Sequence, residues 1–329
     1  MIPFAYHRAT SVEDAVTTVA DRPDAVFLAG GTNLVDHMKL GVVEPSLVVD
    51  VGHLPLTDID QLDDGTLRIG ADVRNSDLAA HPIVRSRHPV LSRALLAGAS
   101  GQLRNLATTA GNLLQRTRCV YFQDVTTPCN KRTPGEGCSA IGGYVRYHAI
   151  LGASEHCVAV HPSDVAVALA ALDADVVYAD TAGEHRLPLV DFHRLPGDRP
   201  DRDTNLPAGA LITAVEIPTP LDGARSTYRK VRDRASYAFA LTSVAAELVT
   251  EDGTITSARL ALGGVAHKPW RAHRAEQSLQ GRPASEDTFR AAADKELEQA
   301  NPLPGNEFKV ELTRRAIVAT LLRLVEGHQ

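Results

Sequence analysis

Short apolar runs alternate with turn residues and amphipathic stretches in the first fifty residues of the chain. Residues 25–29 form an apolar run that predicts a short buried strand, and the turn Gly30-Gly31-Thr32-Asn33 follows it directly. A helical pattern then runs to Lys39, and a second apolar run at 47–50 predicts another strand. A capping box from Thr10 to Glu13 predicts a helix ahead of them. The region is therefore predicted to be a compact β–turn–α–β unit.

Regular patterns return in the second half of the chain. Ser163 is expected to cap a helix through Leu172, and strands are predicted at 175–178 and 211–218. A second domain is predicted to begin near Ala224. The strands and the last helix predicted within it are 226–231, 238–249, 255–262 and 308–326. Residues 115–156 and the polar stretch 187–207 lack periodicity, which predicts loops.

Composition and charge exclude several classes of protein. The 329 residues carry 34 Lys and Arg against 40 Asp and Glu, a net charge of −6, so no basic field favours nucleic acid. No basic segment followed by an apolar run opens the chain, and no apolar run reaches the ~18–20 residues of a membrane span. We therefore expect no signal peptide of its own, no membrane and no nucleic acid, with cytosolic folding as the default.

All cysteines of the chain lie in one stretch rich in Gly, Pro and Thr: Cys119, Cys129, Cys138 and Cys157. Four thiolates are the ligand set of a [4Fe–4S] cluster or of an all-cysteine zinc site. No CxxC pair occurs, which disfavours common zinc ribbons and bacterial ferredoxin runs. The stretch therefore predicts a metal centre, with iron–sulfur and zinc both open.

Several polar turns have the chemistry of a phosphate or ribose site. Adjacent glycines between a strand and a helix allow close backbone approach to a diphosphate, although the same pattern also makes an ordinary turn. The hydroxyl-rich turn 108–112, the cap at Ser163-Asp164 and Lys230 could likewise contact an anionic ligand. Read singly, each also fits a simple turn, a helix cap or a solvated charge.

Taken in order, these segments resemble the FAD-binding subunit of the xanthine dehydrogenase family of molybdenum hydroxylases. The resemblance rests on 27–39, 108–112, Ser163-Asp164, the Tyr-Arg-Lys run at 228–230 and 262–269. It implies an α+β fold with a two-lobed FAD-binding domain of the PCMH type, like vanillyl-alcohol oxidase and MurB. A smaller α/β domain like that of the CO dehydrogenase flavoprotein follows. The implied domains are 1–222, with lobes of about 1–56 and 57–222 and an insertion of about 115–158, and 223–329.

The cysteine stretch is similar to that of the bacterial periplasmic aldehyde oxidoreductase branch, whose flavin subunit holds an extra [4Fe–4S] cluster. The resemblance implies that Cys119, Cys129, Cys138 and Cys157 bind the cluster. It implies that 27–34 cradle the FAD diphosphate, 108–112 contact the diphosphate and ribose, Asp164 meets the adenosine side, Ile212 packs on the cofactor and Lys230 lies by the isoalloxazine. The cofactor-binding residues so expected are Phe27, Leu28, Ala29, Gly30, Gly31, Thr32, Asn33, Leu34, Thr108, Thr109, Ala110, Gly111, Asn112, Ser163, Asp164, Ile212 and Lys230.

Four hypotheses of function follow. The preferred one is an electron-transfer subunit of a heterotrimeric molybdenum aldehyde oxidoreductase, with no catalytic residue of its own. Its partners would be a large molybdopterin subunit, a small [2Fe–2S] subunit and an external electron acceptor. It would be periplasmic as the passenger of an exported partner, or cytoplasmic. The alternatives are a self-sufficient flavin oxidoreductase, or the medium subunit of a xanthine dehydrogenase or hydroxybenzoyl-CoA reductase type, and a zinc-stabilised scaffold without catalysis.

Overall fold

The first lobe is a small parallel sheet, seen in a computed structural model that describes residues 1–327. Its elements in chain order are β1 (Ala5–Arg8), α1 (Val12–Ala20), β2 (Ala25–Leu28), α2 (Leu34–Leu40) and β3 (Leu47–Asp50). The strand order is β1-β3-β2, so the central strand pairs with both neighbours in parallel. Val49 and Val51 lie in the apolar core between this sheet and α1. The two strands and the turn expected for 25–50 are therefore present.

The second lobe carries a five-stranded antiparallel sheet in the order β4-β5-β8-β6-β7. Its strands are β4 (Ile59–Gln61), β5 (Leu67–Gly70), β6 (Asp175–Asp180), β7 (Gly183–Pro188) and β8 (Leu211–Ile217). The helices between and beside them are α3 (Asn75–Ala80), α4 (Pro82–Arg87), α5 (Pro89–Ala97), α6 (Gly101–Arg104), α7 (Thr109–Leu113), α8 (Val120–Gln123), α9 (Asp164–Ala171) and α10 (Leu189–Phe192). Residues 115–158 join α7 to α9 with little regular structure apart from the single turn of α8.

The last third of the chain is an antiparallel sheet covered by helices. Its strands are β9 (Arg225–Val231), β10 (Thr242–Glu251), β11 (Thr254–Gly263) and β12 (Trp270–Arg271), in the order β12-β11-β10-β9. The helices are α11 (His273–Leu279), α12 (Glu286–Leu297) and α13 (Phe308–Glu326). A separate apolar core forms between this sheet and the three helices, with Phe289 and Ile317 fully buried in it.

Helix α9 joins the second lobe to the C-terminal sheet. Every residue from Asp164 to Ala171 is buried. Its apolar side chains share one core with strands β5 and β8 and with Ala245 and Ala261 of the C-terminal sheet. A helix that is apolar on all sides is stable only when it is covered on all sides, so α9 brings its own N-terminus to the junction of these layers.

Three local expectations are wrong. The cap of α1 is Ser11, whose Oγ accepts from Asp14 N at 3.0 Å, and Thr10 instead donates to the Asp14 carboxylate. The stretch 187–207 is not wholly a loop, because it completes β7 and forms α10. The strand expected from residue 238 begins at Thr242. The errors at α1 and at β10 concern element ends, which local sequence patterns define poorly.

Candidate functional site

Three adjoining cavities of about 400, 370 and 410 Å³ form one trough, which we call the cleft. The inner cavity lies beside the turn after β2, the middle one beside the N-terminus of α9, and the outer one beside 117–120 and 144–148. Thr32, Asn33 and Gly111 line both the inner and the middle cavity, and Asp164 and Phe239 line both the middle and the outer one. Each volume is in the range of small-molecule sites, and together they suit an elongated ligand.

The turn after β2 passes close to the backbone before α7. A Cβ atom on Gly30 would lie 2.0 Å from Leu106 O, so only glycine permits this approach. Gly31 has a φ of 71°, in the left-handed region that glycine adopts without strain. Asn33 makes no capping bond to α2, and its Oδ1 instead accepts from Arg116 N at 3.0 Å. The glycine turn thus forms a cleft wall made of bare backbone.

The hydroxyl-rich turn 108–112 forms the facing wall. Thr108 caps α7, with its Oγ1 accepting from Gly111 N at 3.2 Å. Thr109 turns inward and donates to Val73 O at 3.1 Å. Asn112 Oδ1 accepts from Ser163 Oγ at 2.6 Å, which fastens this turn to the start of α9. Two turns that are 51 residues apart therefore form one edge of the cleft.

Asp164 and Lys230 form a buried ion pair in the middle cavity. Lys230 Nζ lies 2.7 Å from Asp164 Oδ2, and Tyr228 OH donates to Asp164 Oδ1 at 2.5 Å. Burial first, and then the Asp164 charge, raise the pKa of Tyr228 well above its usual value, so its hydroxyl stays a donor. The resemblance assigns Asp164 and Lys230 to opposite ends of FAD. The structure joins them, so both face the same part of the cleft.

Buried polar atoms without partners give an independent test of what the cleft can hold. Within residues 1–327, three buried polar atoms have no hydrogen-bond partner: Asp72 Oδ2 in the inner cavity, and Asn75 Oδ1 and Arg118 Nε of residues lining the middle cavity. Burial raises the pKa of Asp72 despite Arg74 nearby, and the Asp50 charge adds to the rise. Buried polar atoms are rarely left unpaired in proteins, so a ligand with hydroxyl and phosphate groups fits these positions. No motif in the sequence marks these residues.

The structure brings most of the expected cofactor residues to the cleft. The residues that line it are Phe27, Ala29, Gly30, Gly31, Thr32, Asn33, Leu34, Thr108, Ala110, Gly111, Asn112, Ser163, Asp164, Ile212 and Lys230. Leu28 and Thr109 do not line it. The Leu28 backbone instead holds the first lobe together, since its carbonyl accepts from Val51 N at 2.9 Å.

The cysteine loop, residues 115–158, carries the four thiols, and one of them lines the outer cavity. Cys119 lines that cavity, and Cys129 and Cys138 pair through their backbones. A hydrogen bond from Cys157 lowers the pKa of Cys138. Burial raises the pKa of Cys119 to about 11, and the charges of Cys129 and Cys138 add to the rise. All four thiols are free, so the donor set is that of a four-thiolate centre.

The thiols do not form a ready-made metal site. Within residues 1–327, no group of three or more His, Cys, Asp or Glu side chains is arranged to hold a metal ion. One contact to a thiol was not predicted from the sequence. His148 Nε2 lies 3.2 Å from Cys119 Sγ. The residue types therefore fit a cluster, while the thiol arrangement would have to tighten around it.

Polar side chains order the cysteine loop. Lys131 is buried and donates to Asp203 Oδ1 at 2.5 Å and to Pro200 O at 2.8 Å. Arg116 donates to the other oxygen of Asp203 at 2.7 Å. Burial alone would raise the pKa of Asp203, but Lys131 and Arg116 hold it well below its usual value. These bonds tie the loop to 200–203 of the second lobe.

Comparison with known proteins places the chain in a family. Residues 2–220 match the FAD binding domain in molybdopterin dehydrogenase, and residues 226–325 match the CO dehydrogenase flavoprotein C-terminal domain. The chain belongs to the FAD-binding subunits of the molybdenum hydroxylase family, and it is an oxidoreductase subunit and a flavoprotein. The predicted resemblance is thereby confirmed.

The relatives cover nearly the whole chain. The aldehyde oxidoreductase FAD-binding subunit PaoB of Escherichia coli strain K12 is 53% identical over 98% of both chains. The glyceraldehyde dehydrogenase medium chain of Sulfolobus acidocaldarius is 29% identical, over 97% of this chain and 95% of its own length. The carbon monoxide dehydrogenase of Hydrogenophaga pseudoflava superposes with a TM-score of 0.78 at 24% identity, over 99% of both chains. The predicted α+β fold class, with its two-lobed FAD domain and smaller C-terminal domain, is confirmed.

No helix within residues 1–327 is long and apolar enough to cross a bilayer.

Proposed function

We propose that this chain is the FAD- and [4Fe–4S]-binding electron-transfer subunit of a molybdenum-dependent aldehyde oxidoreductase. The relative that is 53% identical over 98% of both chains is an aldehyde oxidoreductase FAD-binding subunit. The observation that carries the proposal is that Cys119 and Asp164 line the same cavity. A redox centre held by the thiols would therefore adjoin the cleft, as electron exchange between two cofactors requires.

The FAD would lie along the cleft. Bound FAD exchanges one or two electrons, which lets it join one-electron carriers to a two-electron acceptor. Gly30 and Gly31 give its diphosphate room against bare backbone, and the turn 108–112 offers hydroxyl and amide donors. Asp72 and Asn75 supply unpartnered acceptors for ribose or ring donors. The Asp164–Lys230 pair offers a fixed cation and a fixed carboxylate to the middle of the ligand.

The four cysteines would hold the cluster as thiolates. The loop is already ordered by Lys131 and its partners, so the remaining adjustment is in the thiols. The His148 contact at Cys119 would bear on the potential of the centre, because hydrogen bonds to ligand sulfur tune it. A zinc site would satisfy the same ligand count. Zinc does not exchange electrons, however, so it would not explain why the thiols adjoin the flavin cleft.

The substrate chemistry would belong to the partners. In this proposal a large molybdopterin subunit oxidises the aldehyde, a small [2Fe–2S] subunit relays the electrons, and an external acceptor takes them at the flavin. The assembly is then a heterotrimer, and the chain reaches the periplasm as a passenger of an exported partner or stays in the cytoplasm. The self-sufficient flavin oxidoreductase remains the competing function.

Cofactor analysis with Cys129→Ser tests the proposal. The wild-type chain should contain about four irons and one flavin, and the variant should lose most of its iron while keeping FAD. Glu136→Gln, an exposed change in the same loop, is the control and should keep both cofactors. Iron at wild-type stoichiometry in Cys129→Ser would contradict the cluster assignment. Zinc without flavin in the wild-type protein would contradict both the electron-transfer subunit and the self-sufficient flavin oxidoreductase.

Copurification tests the assembly. Tagged chain should bring down a molybdopterin subunit and a [2Fe–2S] subunit, and aldehyde oxidation should need all three. Aldehyde turnover by this chain alone would instead establish the self-sufficient oxidoreductase.

A further inference from the structure

A second polar cavity of about 450 Å³ lies away from the cleft, between α4, α5, β9 and the end of α13. We call it the arginine cavity, because arginines from three distant parts of the chain line it. They are Arg85 and Arg87 at the end of α4, Arg93 on α5, Arg225 at the start of β9, and Arg323 in the last turn of α13. Arg85, Arg87 and Arg93 belong to the 2–220 match, Arg323 belongs to the 226–325 match, and Arg225 immediately precedes the latter. The cavity therefore spans two domains.

The described lining of the arginine cavity contains no acidic side chain. In the described part of the chain, Arg85, Arg87, Arg93 and Arg225 form no ion pair with a carboxylate. The chain as a whole has a net charge of −6, so this convergence is not part of a generally basic surface. A concentration of one charge in a concave site raises the local concentration of the opposite ion.

Two of the arginines are held in place by the protein itself. Arg93 donates to Thr227 Oγ1 at 2.6 Å, and Arg225 donates to Leu324 O at 3.0 Å. A guanidinium has five N–H donors, so both keep donors for a ligand. Burial, and then the charge of Arg323, lower the pKa of Arg93, which shows that the like charges lie close enough to repel each other. An anion between them would relieve that repulsion.

Helix ends alone do not explain the cluster. Arg85, Arg87 and Arg323 lie in last turns, where cations interact favourably with the helix dipole. Arg93 lies in the middle of α5 and Arg225 opens a strand, so neither has that role. Arg85 and Arg87 make no side-chain hydrogen bond within residues 1–327, and they face the same cavity as the other two.

We propose that the arginine cavity binds the diphosphate group of a small molecule. The volume suits a small ligand. Several guanidinium groups in one cavity match an anion with several oxygens and more than one negative charge, since each can pair bidentately with phosphate oxygens. The ligand would bridge the FAD domain and the C-terminal domain, contacting residues of α4 and α5 on one side and of β9 and α13 on the other.

Calorimetric titration of the FAD-loaded protein with inorganic pyrophosphate, at constant ionic strength, tests this site. We expect one saturable site in the wild type and binding weaker by about tenfold or more in the double variant Arg85→Gln/Arg87→Gln, since charged hydrogen bonds are lost. These two side chains are partly exposed and make no internal bond, so the variant should fold normally. The control Arg290→Gln/Arg315→Gln removes the same charge from exposed helix positions and should bind as the wild type does.

Comparison of ADP with pyrophosphate distinguishes the possible ligands. Tighter binding of ADP than of pyrophosphate would identify a nucleoside diphosphate as the ligand type, and the reverse would identify the inorganic ion. The proposal is overturned if pyrophosphate gives no saturable signal, or if the Arg85/Arg87 variant binds as tightly as the control. It is also overturned if flavin absorbance is lost in step with binding, because the ligand would then occupy the cleft.

Discussion

The cleft and the cysteine loop are neighbours, yet they are built in opposite ways. The cleft depends on the absence of a side chain at Gly30, because a Cβ atom there would collide with Leu106 O. The loop depends on side chains that are present. Asn130 alone accepts from Gly137 N at 2.7 Å and Gly135 N at 3.1 Å, and donates to His156 O at 3.0 Å. Adding atoms should therefore damage the cleft, and removing polar atoms should damage the loop.

The two regions also differ in what anchors them. One edge of the cleft is closed within the FAD-binding domain, by the bond from Ser163 to Asn112. The loop is held from both domains: Lys131 reaches Asp203 in the second lobe, and Lys309 of α13 donates to His148 O at 2.7 Å. The loop is thus a bridge between domains, held by hydrogen bonds to both of them.

The largest effect is expected from Gly30→Ala, which adds one methyl group to the cleft wall. The Cβ would lie 2.0 Å from a backbone oxygen, so the turn must move, at a cost of about 1–3 kcal/mol or more, and the diphosphate cradle moves with it. The ratio of flavin to protein absorbance should fall sharply, while iron should remain. Gly101→Ala is the control, since its Cβ would enter open space. Full flavin occupancy in Gly30→Ala would refute the idea that FAD binding requires glycine at position 30.

Lys131→Met should have the next largest effect, a loss of stability of the cysteine loop. The change leaves the Asp203 carboxylate with Arg116 as its remaining cation and Pro200 O without its donor, which should cost about 1–3 kcal/mol of unfolding free energy. Urea unfolding with limited proteolysis should show lower stability and cleavage within 115–158. Lys295→Met, which removes an exposed pair with Glu298, should cost less than about 1 kcal/mol. Equal losses in the two variants would mean that the loop is not anchored through Lys131.

The last prediction concerns the dependence of stability on pH. Burial lowers the pKa of Lys309 from 10.5 to about 7, so between those values the folded state binds fewer protons than the unfolded state. The unfolding free energy should therefore rise with pH across that window through this group, and the gain should be absent below about pH 7. Lys309→Met should flatten this part of the profile. An unchanged slope in the variant would show that Lys309 does not titrate in the window.

Features encoded by neighbouring residues could be predicted from the sequence. The glycine turn at 30–31, the hydroxyl turn at 108–112 and the α9 cap at Ser163 lie where expected, because each follows from local backbone preference. The capping-box pattern predicts Thr10 as the cap of α1 instead of Ser11, since both hydroxyls lie within reach of Asp14. The clustering of the cysteines could likewise be read from the sequence, but the arrangement of their thiols could not.

By itself, the sequence determined the family, the order of the domains and the segments that form the cleft. Only the tertiary structure decided which charges meet. Asp164 with Lys230, Lys131 with Asp203, and Arg85 with Arg225 belong to segments 66 or more residues apart. The physical reason is that backbone preferences act over a few residues, whereas burial and ion pairing arise only when the sheets close around α9 and bring remote side chains into one low-dielectric space.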